Sequence, residues 1–217
     1  MNRVKNSQNL LKKILFPIIF VTGTWCVYRL VIVGLISIHS FLVVNRPVAS
    51  DILIVEGWIF DYMLDAAAEE IKKGNYKRII TIGDKKTFPE HSKHSNFTSM
   101  AEQCKAQLIK RGISPSAISV VTAPAAKYQT TFKTAVAVSS WLQKKQIKAV
   151  NVFTGGPHGR KSLLLFQNAL GENIKVGVIS CKIKHYDPVY WWTSWRGTQV
   201  TLRYLFGYFY ALLLMAS

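Results

Sequence analysis

Past Pro47 the chain sets five short apolar runs against longer amphipathic ones. The runs are DILIVEG (Asp51–Gly57), RIITIG (Arg78–Gly83), AISVVT (Ala117–Thr122), AVNVFT (Ala149–Thr154) and KVGVISC (Lys175–Cys181). They are apolar at nearly every position rather than at every second one, the pattern of strands covered on both faces. Between them helices are predicted over Tyr62–Lys73, Phe97–Arg111, Thr131–Lys145 and from about Gly159 to Leu170. Met100, Cys104 and Leu108 fall at helical spacing in the second, and Phe132, Ala135, Val138 and Leu142 in the third; Gly74, Gly112 and Gly171 mark stops. Strands that each give way to a helix define an α/β class: a Rossmann-like three-layer domain with a five-stranded, mainly parallel sheet.

The N-terminus obeys different rules. Residues 14–44 (ILFPIIFVTGTWCVYRLVIVGLISIHSFLVV) are broken only by Arg29 and His39, and about 20 apolar residues suffice to cross a bilayer. Arg29 would cost about 3 kcal/mol at the bilayer centre, so it is expected near an interface or snorkelling. A tight hairpin through the stretch would leave each arm short. Residues 1–13 form a basic tail carrying Arg3, Lys5, Lys12 and Lys13, whereas Arg46 is the only charge between the span and Asp51. The positive-inside bias therefore predicts a single-pass protein of the inner membrane, with its tail in the cytoplasm and residues 45–217 outside it.

The net charge of +17 favours polyanionic partners, either anionic membrane lipid or phosphorylated ligands. Nucleic acid is not expected, because no basic run is interleaved with stacking aromatics and no zinc-finger or basic-helix pattern occurs. Cys26, Cys104 and Cys181 are too few and too scattered for a disulfide framework or a Cys-x-x-Cys metal site, and are read as structural. His91 and His94 form His-x-x-His in a Lys/Ser/Asn-rich stretch without a helical frame, so no metal or other cofactor is expected.

In a parallel α/β sheet, ligands bind beyond the carboxyl ends of the strands. Those ends are Glu56-Gly57-Trp58, Gly83-Asp84, Thr122–Thr131 and Thr154–Ser162. The last, TGGPHGRKS, is one substitution from a phosphate-binding loop, but Arg160 replaces the final glycine and the loop follows the fourth strand rather than the first. A P-loop is therefore not expected. What remains is a flexible turn at Gly155 and Gly156, a helix N-terminus with unpaired amides, and cationic donors from His158, Arg160 and Lys161. Without an anion these cations would oppose the helix dipole.

These segments jointly resemble the ElyC/SanA/YdcF family, particularly its membrane-anchored branch found near exopolysaccharide and exosortase systems. The matching pieces are RPVASDILIVEGWIFDY (Arg46–Tyr62), RIITIGD (Arg78–Asp84), APAAKYQTTFKTAVAVSSWL (Ala123–Leu142), HGRKSLLLFQNALG (His158–Gly171), and VGVIS followed by YDPVYWW (Val176–Trp192). The resemblance implies the same α/β fold, a membrane anchor, and a link to envelope polysaccharide or carrier-lipid metabolism, without supplying a reaction. It places the family's polar signature on Glu56, Thr131, His158 and Arg160. Two departures stand out: Gly83-Asp84 where Gly-Gly is common, and Arg203 about where the final helix of relatives carries an acid.

The expected site therefore has Glu56 and His158 as an acid/base pair, with Gly57, Asp84, Thr130, Thr131, Gly155, Gly156, Arg160 and Lys161 holding a phosphorylated, lipid- or glycan-linked ligand. The alternative role for Glu56 is pairing with Arg160 or capping a helix. One of Thr130 and Thr131 is explained by helix capping. Asp61 and Asp65 read as helix N-terminal acids and Ser162 as a first-turn residue rather than a nucleophile. Catalysis on the ligand and a non-catalytic scaffold for envelope polysaccharide enzymes stay open, and a third reading, cytoplasmic nucleotide binding, needs the opposite topology. The aromatic run Val200–Met215 is expected to pack on the domain, with Trp191, Trp192, Trp195 and Tyr208 near the membrane interface.

Overall fold

The computed structural model describes residues 2–85, 97–125, 129–143 and 145–216. His91 and His94 lie outside them. The chain forms two units, divided between Ile38 and His39. Helix α1 runs Asn2–Leu42 without a break, so the hairpin alternative does not occur. Its segment Leu15–Leu42, 28 residues, is long and apolar enough to cross a membrane, a test that a signal sequence also passes. On an apolar helix a hydroxyl can satisfy itself on a carbonyl one turn back. Thr22 and Thr24 hydroxyls donate to the carbonyls of Ile18 and Phe20, both at 2.8 Å, and Ser37 to that of Val33 at 2.7 Å. The Arg29 guanidinium lies 5.5 Å from the Trp25 ring centroid.

The second unit carries strands β1 (Ile52–Glu56), β2 (Arg78–Asp84), β3 (Ile118–Ala123), β4 (Ala149–Gly155) and β5 (Lys175–Cys181). All pair in parallel, in the order β3-β2-β1-β4-β5. Helices α2 (Asp61–Lys73), α3 (Met100–Lys110), α4 (Thr130–Leu142) and α5 (Gly159–Leu170) connect them, and α6 (Trp195–Ala216) follows. Alternation along each strand feeds two cores. Ile52, Ile54, Ile80 and Val152 face Val138, Leu142 and Phe166 of α4 and α5. Leu53, Val55, Ile79 and Phe153 face Met63, Ala67, Cys104 and Leu108 of α2 and α3. This is the expected three-layer α/β fold. The chain grows outward from β1 through β2 to β3, then returns to place β4 on the other side of β1, which creates a crevice at the carboxyl ends of β1 and β4.

Element ends moved where local chemistry decided them. α3 starts at Met100 rather than Phe97 because Ser99 Oγ accepts from the Glu102 amide at 3.1 Å, while the Glu102 carboxylate accepts from Thr98 N at 2.9 Å. α2 begins at Asp61, and Asp61 and Asp65 both pair with Arg111. Cys104 is packed into the core, where burial pushes its thiol up to about 12, and Cys26 and Cys181 are also unpaired.

The segment after α1 is tied to the far edge of the sheet. Arg46 exchanges two backbone hydrogen bonds with Val178 of β5, at 2.8 and 3.1 Å. Beside it, buried Asn151 accepts from Val48 N at 2.9 Å and donates to Val48 O at 2.8 Å. A Cβ on Gly177 would lie 2.1 Å from Asn151 Oδ1 and 2.6 Å from Val48 N, so this strand position has to be glycine. Asn151→Ala strands the half-buried Val48 backbone groups and is expected to lower stability by about 1–3 kcal/mol. The check is the urea midpoint by tryptophan fluorescence, with the slope unchanged.

Candidate functional site

Glu56 ends β1 beside β4 and is 1% exposed. A carboxylate stripped of water needs donors, and the next elements supply them. Thr154, at the end of β4, donates its hydroxyl to Oε2 in a short hydrogen bond. Ser162, in the first turns of α5, donates to Oε1 at 2.9 Å. His158 Nδ1 lies 3.2 Å from Oε2 and 2.8 Å from Ser162 Oγ. Since both hydroxyl protons go to the carboxylate, Nδ1 carries the imidazole proton and Nε2 becomes the basic nitrogen. The His158 ring is held edge-on by Trp58 and Tyr204, with centroids at 4.8 and 4.9 Å.

Burial, the largest single influence on Glu56, pushes its carboxyl up. The charge His158 can carry and the hydrogen bonds from His158, Thr154 and Ser162 outweigh it, so the group is held below its ordinary 4.5. Glu56 is therefore an anion committed to its neighbours, and it positions the imidazole.

The ring borders a cavity of about 710 Å³ over the strand ends. Glu56, Asp84, Thr130, Thr131, Gly155, His158 and Lys161 all line it, so seven of the ten expected residues meet there. The far wall is the face of α6 formed by Arg196, Gln199, Val200, Arg203, Tyr204 and Gly207, at helical spacing. Burial pushes the Lys161 amine down; Glu56 opposes this and Arg203 adds to it. Burial also takes the Tyr204 phenol up to about 12.

Three expected ligand residues do not reach the cavity. Arg160 donates through Nε to the Phe41 carbonyl and stacks on the Phe41 ring, 3.9 Å from its centroid, so it neither pairs with Glu56 nor faces a ligand. Gly57 donates its amide to Ile82 O at 2.7 Å, and a Cβ there would lie 2.7 Å from Met100 O; it serves strand-to-helix packing. Gly156 does take a positive φ of 40°, but a Cβ would strike Ile183 at 2.4 Å, so the turn seats the chain after β5. At the start of α5, the Gly159 amide already donates to Gly156 O, and a Cβ on Gly159 would lie 2.0 Å from Ser180 Oγ. The cavity's cationic character thus comes from side chains. Nor does either threonine cap α4: its N-cap is Gln129, in a left-handed conformation with φ 57°, and no side chain bonds the cap.

Sequence reasoning missed Thr154 and Ser162, whose hydroxyls look like ordinary strand-end and first-turn residues. It also missed Arg196 and named Arg203 only as a departure from relatives; their seven-residue spacing with Gln199 between them was the available signal. Among the described residues no three His, Cys, Asp or Glu side chains gather as a metal set. Comparison with protein-family models, curated proteins and solved structures found no match.

The sign of the Glu56 shift sets a pH dependence. With its folded value lowered, the carboxylate stabilises the fold in full above its unfolded value, and this contribution drains as pH falls through the folded one. Urea midpoints taken from about pH 5 to pH 3 should therefore fall more steeply in the wild type than in Glu56→Gln. Ser162→Ala, which leaves Oε1 without its donor, should cost about 1–3 kcal/mol near neutral pH by the same measurement.

Proposed function

We propose that this chain is a membrane-anchored envelope protein akin to the ElyC/SanA/YdcF family. Its strand-end cavity would bind a phosphorylated, lipid- or glycan-linked ligand in cell-envelope or exopolysaccharide biogenesis. The observation that carries the reading is the convergence of Lys161, Arg196 and Arg203 on the cavity that His158 borders. Of the acids there, Glu56 is already spent on the hydroxyl–imidazole network, which leaves Asp84 against three cations. Such an excess attracts an anion, and guanidinium groups match phosphate oxygens in pairs. Glu56 orients His158 for proton or phosphoryl chemistry on the ligand.

The long apolar helix supports an anchor. Arg3, Lys5, Lys12 and Lys13 before it, against Arg46 after it, favour a cytoplasmic tail and an extracytoplasmic domain at the inner membrane. On α6, Trp195 is 80% exposed and Phe206 67%, which suits contact with lipid. The replacement of an expected acid by Arg203 favours a second reading, a non-catalytic scaffold for envelope polysaccharide enzymes using the same cavity.

Titration of the full chain in detergent with inorganic pyrophosphate tests the binding claim by calorimetry. Lys161→Ala and Arg203→Ala should each weaken affinity about tenfold or more, whereas Arg160→Ala should leave it unchanged. Absence of saturable binding, or an equal loss in all three, overturns the reading. In cells, a phenotype that depends on Lys161 but survives Glu56→Gln selects the scaffold over catalysis. A periplasm-active reporter fused after Ser217 checks orientation, and silence of that fusion would count against it.

A further inference from the structure

We infer that His158 Nε2 is a phosphoryl acceptor, so that the cavity hydrolyses its ligand through a phosphohistidine. The inference rests on the proposal that the cavity takes a phosphorylated ligand, and it names the chemistry done there. Three features of the structure carry it. The Nδ1 proton is held by the anionic Glu56 and the two hydroxyls bound to it, which fixes the tautomer and raises electron density at Nε2. Trp58 and Tyr204 flank the ring, so the lone pair keeps one direction. Lys161, Arg196 and Arg203 share the cavity and can neutralise phosphoryl oxygens, the main task in phosphoryl transfer.

Three hydroxyls closest to the site are already engaged. The hydroxyls of Ser162 and Thr154 give their protons to Glu56, and that of Thr134 returns to the carbonyls of its own helix at 2.8 and 3.1 Å. Neither Cys104 nor Cys181 lines the cavity.

In the first step the Nε2 lone pair bonds to phosphorus as the bond from phosphorus to the bridging oxygen breaks. That oxygen leaves with the bonding pair and takes a proton from solvent. The Nδ1 proton stays on Nδ1, where Glu56 offsets the positive charge of the phosphorylated ring. In the second step water attacks phosphorus, the P–N pair returns to Nε2, and inorganic phosphate leaves. The net reaction is hydrolysis of a phosphomonoester or phosphoanhydride, with Glu56 acting as a positioning residue.

The test uses the full chain in lipid nanodiscs with phosphoramidate and p-nitrophenyl phosphate as phosphoryl donors, quenched in alkali and mapped by mass spectrometry. One alkali-stable, acid-labile phosphoryl group on His158 is expected, together with its absence in His158→Ala and formation at least tenfold slower in Glu56→Gln. With p-nitrophenyl phosphate as the donor, added imidazole should restore turnover to His158→Ala and appear as N-phosphoimidazole by ³¹P NMR above the level of an enzyme-free control, a product that a proton-transfer role would not yield. Pyrophosphate binding is measured on every variant, and circular dichroism confirms that each is folded. No adduct, or an adduct on another residue, while pyrophosphate still binds overturns the covalent step alone. Loss of adduct and binding together in the wild type overturns the binding proposal with it.

Discussion

The Glu56 carboxylate sits at the centre of the sheet's carboxyl edge, almost out of reach of water. Burying it unpaired would cost several kcal/mol, so the protein surrounds it with donors drawn from β4, the turn after β4 and α5. That requirement holds the end of β4 and the beginning of α5 against β1. It also decides how His158 presents itself: with one nitrogen bound inward, the other is left to the cavity. Structure and chemistry here share one set of hydrogen bonds, and a change to any member is felt in both.

The cavity has two owners. One wall is the rim that every sheet of this topology offers, where the chain reverses its direction of growth between β1 and β4. The other is α6, which lies beyond the five strands and contributes Arg196 and Arg203. A positive field is thereby set opposite an imidazole whose partner carboxylate is already committed to its own donors. Among the described residues no ion pair engages Lys161, Arg196 or Arg203, which suits the capture of an anion.

Much of the architecture was readable. Each strand run and each helix connecting the strands lies within a few residues of its expected place, because apolar runs bounded by glycine, and helical spacing of Cys104 with Leu108 or of Val138 with Leu142, are local signals. Glu56, His158 and Lys161 were legible too, since polar residues at strand ends of a parallel sheet converge by topology. Arg160 was not. It adjoins Lys161 in sequence, yet successive helix positions point about 100° apart, and Phe41 offers it a carbonyl and a ring. Gly57 and Gly156, expected beside the ligand, are instead crowded by Ile82, Met100 and Ile183 from distant parts of the chain.

What the sequence determined alone was everything set by period and composition: a long apolar N-terminal helix, and an α/β domain whose buried runs demand cover on both faces. What tertiary structure decided was partnership. Strand order, the three partners around Glu56, the departure of Arg160 and the arrival of Arg203 all depend on contacts between residues far apart in the chain. Side-chain type sets what a group can bond to, but only packing settles which of its candidates comes within hydrogen-bonding distance.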